Sequence, residues 1–261
     1  MTYKPLLEFA LEAAREAGHI IRQGWNTSFQ IFEKGEGGDL VTEIDLAVES
    51  ALFKKIGAKF PTHHLLGEES AGNVPLDEGY LWVIDPVDGT TNFSHHFPFV
   101  AVSIGLLYLG QPIVGVVYNP ILEELFSAMK GGGAYFQGKE CHVSTINALP
   151  KSLLATGFAY DRRGTEDNNY RQFCHLTQVS QGVRRAGCAS IDLAYIAAGR
   201  LEGYWERGLK PWDIAAGMLL VTEAGGKISS YEGGPVEMAT GRILASNGLV
   251  HQELIDELKK C

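Results

Sequence analysis

The residues best suited to chemistry are carboxylates, and the densest group lies in Asp85-Pro86-Val87-Asp88-Gly89-Thr90-Thr91-Asn92-Phe93. It follows an apolar run, Leu81-Trp82-Val83-Ile84, that reads as a short strand. A proline between two acids fixes φ and stiffens the loop, so both side chains can be held ready for a cation. Gly89-Thr90-Thr91 then opens a predicted helix, and free amides at a helix start bind phosphate well. One short stretch thus offers cation ligands beside an anion cradle. A bare Asp-x-x-Asp-Gly is more often a turn whose acids cap a helix; the full nonapeptide favours the ligand reading.

Three other acid positions belong with it. Glu68-Glu69 stands in Leu66-Gly67-Glu68-Glu69-Ser70, where adjacent acids beside a glycine would by themselves be solvated surface. Asp213 falls in Lys210-Pro211-Trp212-Asp213-Ile214-Ala215-Ala216-Gly217, in the first turn of a predicted helix. An isolated acid there would only complement the helix dipole, by roughly 0.3–1 kcal/mol. Asp45, at the end of the 39–45 stretch, is expected at the N-cap of the next helix. Together these acids make an all-oxygen ligand set with no His or Cys cluster, which suits Mg²⁺ or Mn²⁺ rather than zinc. Two such ions roughly 4 Å apart can hold an attacking hydroxide and a leaving-group oxygen, which is phosphoester hydrolysis.

The elements that must position them follow from periodicity. Residues 4–23 read as an amphipathic helix, with Leu6, Ala10, Ala13, Ala17 and Ile21 inward and Gly24 as the stop. A second helix is expected over 45–59, with Val48, Leu52 and Ile56 as its stripe. Residues 100–109 and 112–118 predict a hairpin around Gly110-Gln111, and 124–129 and 133–143 continue an antiparallel sheet through Gly131-Gly132-Gly133. Beyond residue 145 the pattern alternates: strands at 152–156, 183–185, 201–206, 226–230 and 242–246, helices at 166–180, 190–198, 212–224 and 249–259. This mixture of α+β and α/β layering sets an expected lobe boundary at Ala148-Leu149-Pro150, giving lobes 1–147 and 148–261.

Composition narrows the function. The chain has 261 residues and a formal net charge of −9, a field that repels nucleic acid and anionic membranes. An acidic protein can hold an anionic substrate if bound cations invert the local charge. Residues 1–24 are interrupted by Glu8, Glu12 and Glu16 and do not read as a signal peptide, and no apolar run reaches membrane-spanning length. The four cysteines, Cys141, Cys174, Cys188 and Cys261, form no CxxC pair, so free thiols and a reducing, cytoplasmic setting are expected.

With those residues in view, the chain resembles the inositol monophosphatase family of magnesium-dependent, lithium-sensitive phosphatases. The resemblance runs along nearly the whole chain and is most specific in WVIDPVDGTTNF at 82–93, GEES at 67–70 and PWDIAAG at 211–217. RRAGCASIDLAYIAAGRLEGYWE at 184–206 looks like the bacterial and cyanobacterial branches. The resemblance implies a layered α/β/α/β/α sandwich, as in inositol monophosphatases and fructose-1,6-bisphosphatases, and a homodimer. It implies that Glu68, Asp85 and the Val87 carbonyl bind a first Mg²⁺, that Asp85, Asp88 and Asp213 bind a second, and that Glu68 faces a looser third. Mn²⁺ is a possible substitute. Thr90 and Asp45 would orient and deprotonate the attacking water, and the Gly89 and Thr90 amides would hold the phosphate. Glu206, Ala189, Asp88 and Gly187 match positions that receive a polyol's hydroxyls, and Lys34 matches a basic residue near the metals.

Inositol monophosphate is the expected substrate. Within the same chemistry the alternatives are histidinol phosphate, 3′-phosphoadenosine 5′-phosphate, fructose 1,6-bisphosphate, NADP and galactose 1-phosphate. A different class of role, a regulatory protein of the transcription machinery, is known among bacterial relatives. Cys188, between Gly187 and Ala189, reads as a small hydrophobe in the polyol-facing segment. His95-His96 read as surface or interface packing, with a substrate contact as the alternative; Arg162-Arg163 and Arg184-Arg185 read as solvated or ion-paired, with attraction of a phosphate as the alternative; and Lys210 reads as a partial balance to the acids.

Overall fold

The computed structural model describes residues 3–34, 40–70, 72 and 74–261. Helix α1 (Lys4–Trp25) turns Ala10, Ala13, Ala14, Ala17 and Ile21 inward, and the four alanines let it lie close to its neighbours. A two-stranded ribbon, β1 (Ile31–Glu33) and β2 (Leu40–Thr42), leads into α2 (Glu43–Lys59). Next come β3 (His64–Gly67), β4 (Tyr80–Asp88) and the single-turn helix α3 (Thr90–Ser94). Strands β5 (Ala101–Tyr108), β6 (Gln111–Asn119), β7 (Glu124–Met129), β8 (Ala134–Phe136) and β9 (Lys139–Cys141) complete a seven-stranded sheet in sequence order. All its pairings are antiparallel except β3 with β4.

The second sheet has five strands. Its elements are β10 (Leu153–Thr156), α4 (Tyr170–Val179), β11 (Gly182–Arg184), α5 (Ala189–Ala197), β12 (Gly203–Glu206), α6 (Pro211–Glu223), β13 (Lys227–Ser229), β14 (Ile243–Ser246) and α7 (His251–Leu258). Strand order is β11-β10-β12-β14-β13, with β10 parallel to both neighbours and the other pairings antiparallel. Helices α1 and α2 cover one face of the first sheet. Helices α5 and α6 fill the middle layer and touch both sheets, and α4 and α7 close the far side. This is the layered α/β/α/β/α sandwich expected.

The middle layer is tight for a reason visible in the glycines. Gly105 and Gly115 face each other across β5 and β6. A Cβ on Gly105 would lie 2.9 Å from Ala215 Cβ, and one on Gly115 would lie 2.7 Å from the Ala216 carbonyl oxygen. Two bare positions in the sheet therefore let α6 approach at backbone distance.

Several expected boundaries shift. Helix α2 starts at Glu43, because Thr42 and not Asp45 is its N-cap; the Thr42 hydroxyl accepts from the Ile44 and Asp45 amides. The β5–β6 turn is Leu109-Gly110, both at positive φ (49° and 75°), as a hairpin turn with the sheet's twist requires. The 133–143 strand breaks into β8 and β9 at Gln137-Gly138, also both at positive φ. The helix expected from 166 begins only at Tyr170, after a 3₁₀ turn at Tyr160–Arg163. Strand 201–206 starts at Gly203, and β1, β2 and β3 had no expected counterpart.

Candidate active site

Side chains alternate along a strand, so acids three residues apart should point to opposite faces. Asp85 and Asp88 escape that rule through a bulge in β4. Asp85 pairs with Ser103 and Asp88 with Ala101, so three steps on β4 match two on β5. Pro86 sits in the bulge, where its missing N–H does no harm to the ladder. The extra residue returns Asp88 to the face of Asp85, and both are buried.

Asp213 reaches the same point from the start of α6. It is held there by the close approach at Gly105 and Gly115 and by Ser103 Oγ, which donates to the Trp212 carbonyl at 3.2 Å. Asp85, Asp88 and Asp213 each offer an oxygen, and these oxygens lie within 4.8 Å of one another. Each acid is fixed by one amide: Val87 N–H donates to Asp85 Oδ1 (3.1 Å), Ser190 N–H to Asp88 Oδ2 (2.7 Å) and Lys210 N–H to Asp213 Oδ2 (2.6 Å). In each case a second oxygen remains for the cluster.

Burial and mutual repulsion drive these carboxyls upward. Asp85 and Asp213 lie well above the usual carboxylate range, first from burial, then for Asp85 from Glu68, Asp88 and Asp213, and for Asp213 from Asp88 and Glu68. Burial also raises Asp88, against the Ser190 hydrogen bond. Glu68 borders the same cavity, and burial pushes it up to about 7 although Lys34 pulls the other way. Lys34 Nζ is 2.9 Å from Glu68 Oε1 and 2.5 Å from Glu69 Oε1. Burial alone would lower the lysine; the two carboxylates outweigh it and hold Lys34 above its usual value. Three converging carboxylate oxygens, two of them on buried residues, with nothing but like charge among them fit a hard divalent cation.

Beside the cluster, Asp45 occupies the third position of α2. Its Oδ2 accepts from the Thr42 amide (2.9 Å) and the Thr42 hydroxyl, closing a capping box. Its Oδ1 lies 3.1 Å from Thr90 Oγ1. Thr90 Oγ1 is also 3.1 Å from the Val87 carbonyl, so its one proton chooses between two acceptors. Burial raises the Asp45 carboxyl. Between these groups, Gly89 adopts φ 91°. A Cβ there would meet the Phe99 carbonyl at 2.9 Å, so the turn that presents the 89–91 amides requires glycine.

A cavity of about 680 Å³ opens over the acids. Its wall includes Lys34, Glu68, Val87, Gly89 and Thr90, and, on the far side, Gly187, Ala189 and Glu206. Every residue expected at the site therefore borders this cavity except Asp45, which stands behind Thr90. Glu206 accepts from the Tyr204 hydroxyl, and burial brings it up to about 7. Cys188 is buried with its sulfur 3.6 Å from Ser190 Oγ, and burial first, then Asp88, pushes the thiol well up, which leaves it inert. All four cysteines are free. Arg162, Arg163, Arg185 and Lys210 line the cavity, whereas Arg184 and the two histidines do not. Among the described residues none of these arginines is ion-paired, against the ion-pair reading. His96 stacks on Phe29 and lies tilted against Trp25.

Two buried acids at the site escaped sequence reasoning. Glu49 Oε2 accepts from the Glu69 amide at 2.9 Å and pins the Glu68-Glu69 turn to α2. Asp192 lines the cavity from α5. Each left a signal in the sequence: Glu49 follows Val48 by one residue and Asp192 interrupts an apolar helix, so both are acids on a face that should be dry.

The fold and the buried acid cluster define a class, the α/β sandwich proteins with a carboxylate site able to take divalent cations. The particular family follows from comparison. The sequence pattern of the inositol monophosphatase family matches residues 2–261, and the chain belongs to that family. It is 53% identical over 252 residues to the inositol-1-monophosphatase of Synechocystis sp., covering 97% of this chain and 88% of that one. The solved inositol monophosphatase of Anabaena (Nostoc) sp. superposes with a TM-score of 0.90 at 47% identity, covering 98% and 96% of the two chains. The Escherichia coli Nus factor SuhB is 41% identical, covering 98% of this chain and 99% of that one.

Proposed function

We propose that this chain is a Mg²⁺-dependent phosphatase that hydrolyses inositol 1-phosphate to inositol and phosphate. One observation carries the reading: the oxygens of Asp85, Asp88 and Asp213 converge within 4.8 Å beside the Thr90–Asp45 hydrogen bond. In this reading Glu68, Asp85 and the Val87 carbonyl hold one ion, Asp85, Asp88 and Asp213 a second, and Glu68 a looser third, with Mn²⁺ as a substitute. When bound, such ions supply charge neutralisation at the phosphoryl oxygens and a depressed water pKa.

The chain's own residues do the rest. The Gly89 and Thr90 amides cradle the phosphate at the start of α3, and Lys34 adds positive charge at the cavity wall. Thr90 orients the attacking water with its hydroxyl. Asp45, fixed by its capping box, accepts the proton through Thr90, and the burial that raises its carboxyl makes it a stronger base than an exposed aspartate. Glu206, Asp88 and the 187–189 backbone receive the hydroxyls of the leaving alcohol. A cytoplasmic homodimer, lithium sensitivity and a division into lobes at 148–150 belong to the same proposal. Its support is a family resemblance, the absence among the described residues of any helix long and apolar enough to cross a membrane, and a first sheet ending before and a second beginning after that point.

The test is phosphate release from inositol 1-phosphate with Mg²⁺, with EDTA, and with Asp88→Asn. Metal-dependent release that the variant loses supports the assignment; release by Asp88→Asn at near-normal rate defeats it. The Nus-factor name of a relative at 41% identity motivates a second reading, a role beside the transcription machinery. Co-purification of transcription proteins with this chain from its native cell would support it.

A further inference from the structure

Asp192 is a carboxylate that the catalytic proposal leaves idle. It sits in the first turn of α5 among Ile191, Leu193 and other small or apolar residues, and it is 2% exposed. That exposure opens on the cavity, whose wall it shares with Glu206 and Arg185. Among the described residues it accepts no hydrogen bond; its surroundings are burial, the opposing charges of Glu206 and Asp88, and the favourable charge of Arg185.

A first-turn acid ordinarily serves its own helix by bonding a free amide. Here that place is taken, because Asp88 Oδ2 reaches across from β4 to the Ser190 amide. Glu206 is also served, by the Tyr204 hydroxyl. Asp192 alone of the cavity-wall acids on this side has no donor. Buried carboxylates without donors are rare in folded proteins, and they persist where a ligand brings the donors.

We propose that Asp192 is a specificity-determining residue that accepts a hydrogen bond from a hydroxyl of the leaving alcohol. With Glu206 beside it, the pair selects phosphate esters of alcohols carrying adjacent hydroxyls. The inference rests on the phosphatase reading above and names what that site prefers.

The experiment compares myo-inositol 1-phosphate with p-nitrophenyl phosphate, whose alcohol has no other hydroxyl, using the Mg²⁺-loaded wild type, Asp192→Leu and Asp192→Asn. The wild-type arm judges the phosphatase reading: failure on both esters defeats that reading, whatever Asp192 does. For the inference, Asp192→Leu is expected to lower kcat/KM on the inositol ester about 30-fold, mainly through KM, and on the aryl ester far less. Asp192→Asn, which keeps an acceptor oxygen, should recover part of the loss. A melting temperature in EDTA at or above wild type, from loss of a buried polar group that has no donor, certifies the fold. Equal losses on both esters, or no loss on the inositol ester, overturn the assignment. So does a loss confined to an amine-bearing ester such as histidinol phosphate, because the donor would then be an ammonium.

Discussion

Replacing Asp85 by Asn should make the metal-free protein more stable while abolishing its activity. Asp85 stands within 4.8 Å of two other carboxylate oxygens, those of Asp88 and Asp213. At an effective dielectric constant of about 20, each ionised pair at that distance repels by about 3.5 kcal/mol, so removing one charge relieves up to about 7. Protonation sets a lower ceiling. Holding an ordinary aspartic acid neutral at pH 7 costs about 4 kcal/mol, and the cluster would take up a proton before exceeding that. The Asn oxygen can still accept from the Val87 amide, a 3.1 Å bond and the longest of the three that fix these acids. The net gain should be about 2–4 kcal/mol, or about 4–8 °C in Tm for a chain of this length. Thermal melts in EDTA and in Mg²⁺ measure it. Wild type should gain Tm with Mg²⁺; Asp85→Asn should start higher, gain little, and release no phosphate. A variant that melts lower in EDTA, or that keeps the full Mg²⁺ response, would refute the picture of a strained ligand cluster.

Asp45→Asn should lower kcat about 10²–10³-fold with KM within a few-fold, because the general base is lost while the cap oxygen remains; a pure KM effect would remove Asp45 from the proton path. Gly115→Val should destabilise by about 2–3 kcal/mol, since a Cβ there lies 2.7 Å from the Ala216 carbonyl oxygen, and should weaken Mg²⁺ binding by displacing the start of α6. Calorimetric Mg²⁺ titration at wild-type affinity would show that α6 tolerates the shift. His251, buried between the hydroxyls of Ser229 and Ser246, is held down by burial to about 4. The unfolded imidazole titrates near 6.5, so the unfolded chain binds the extra proton first. Stability from this residue is complete above about pH 6.5 and falls by up to about 3 kcal/mol as pH drops to 4. Urea melts of wild type and His251→Gln at pH 7.5 and 5 should differ by that slope; parallel losses would mean that other groups carry it.

Much of this molecule is determined by its sequence alone. The strand before Asp85, the helix after Lys210 and the mixture of α+β and α/β layering follow from periodicity and caps, because these are local properties of a chain; the full layered sandwich came from the family resemblance that the nonapeptide carries. Local reasoning failed by small steps where a competing cap or turn prevailed: Thr42 displaced Asp45 from the N-cap, and Gln137-Gly138 split one strand into two. It failed altogether where distant segments meet. Strand alternation puts Asp85 and Asp88 on opposite faces, and only pairing with β5 shows the bulge that unites them. Asp213 joins them because Gly105 and Gly115, more than ninety residues away, leave room for α6. Glu49 and Asp192 show in the sequence only as acids on faces that should be dry, and their place at the site emerges from burial and hydrogen-bond partners, since an acid's cost depends on what surrounds it.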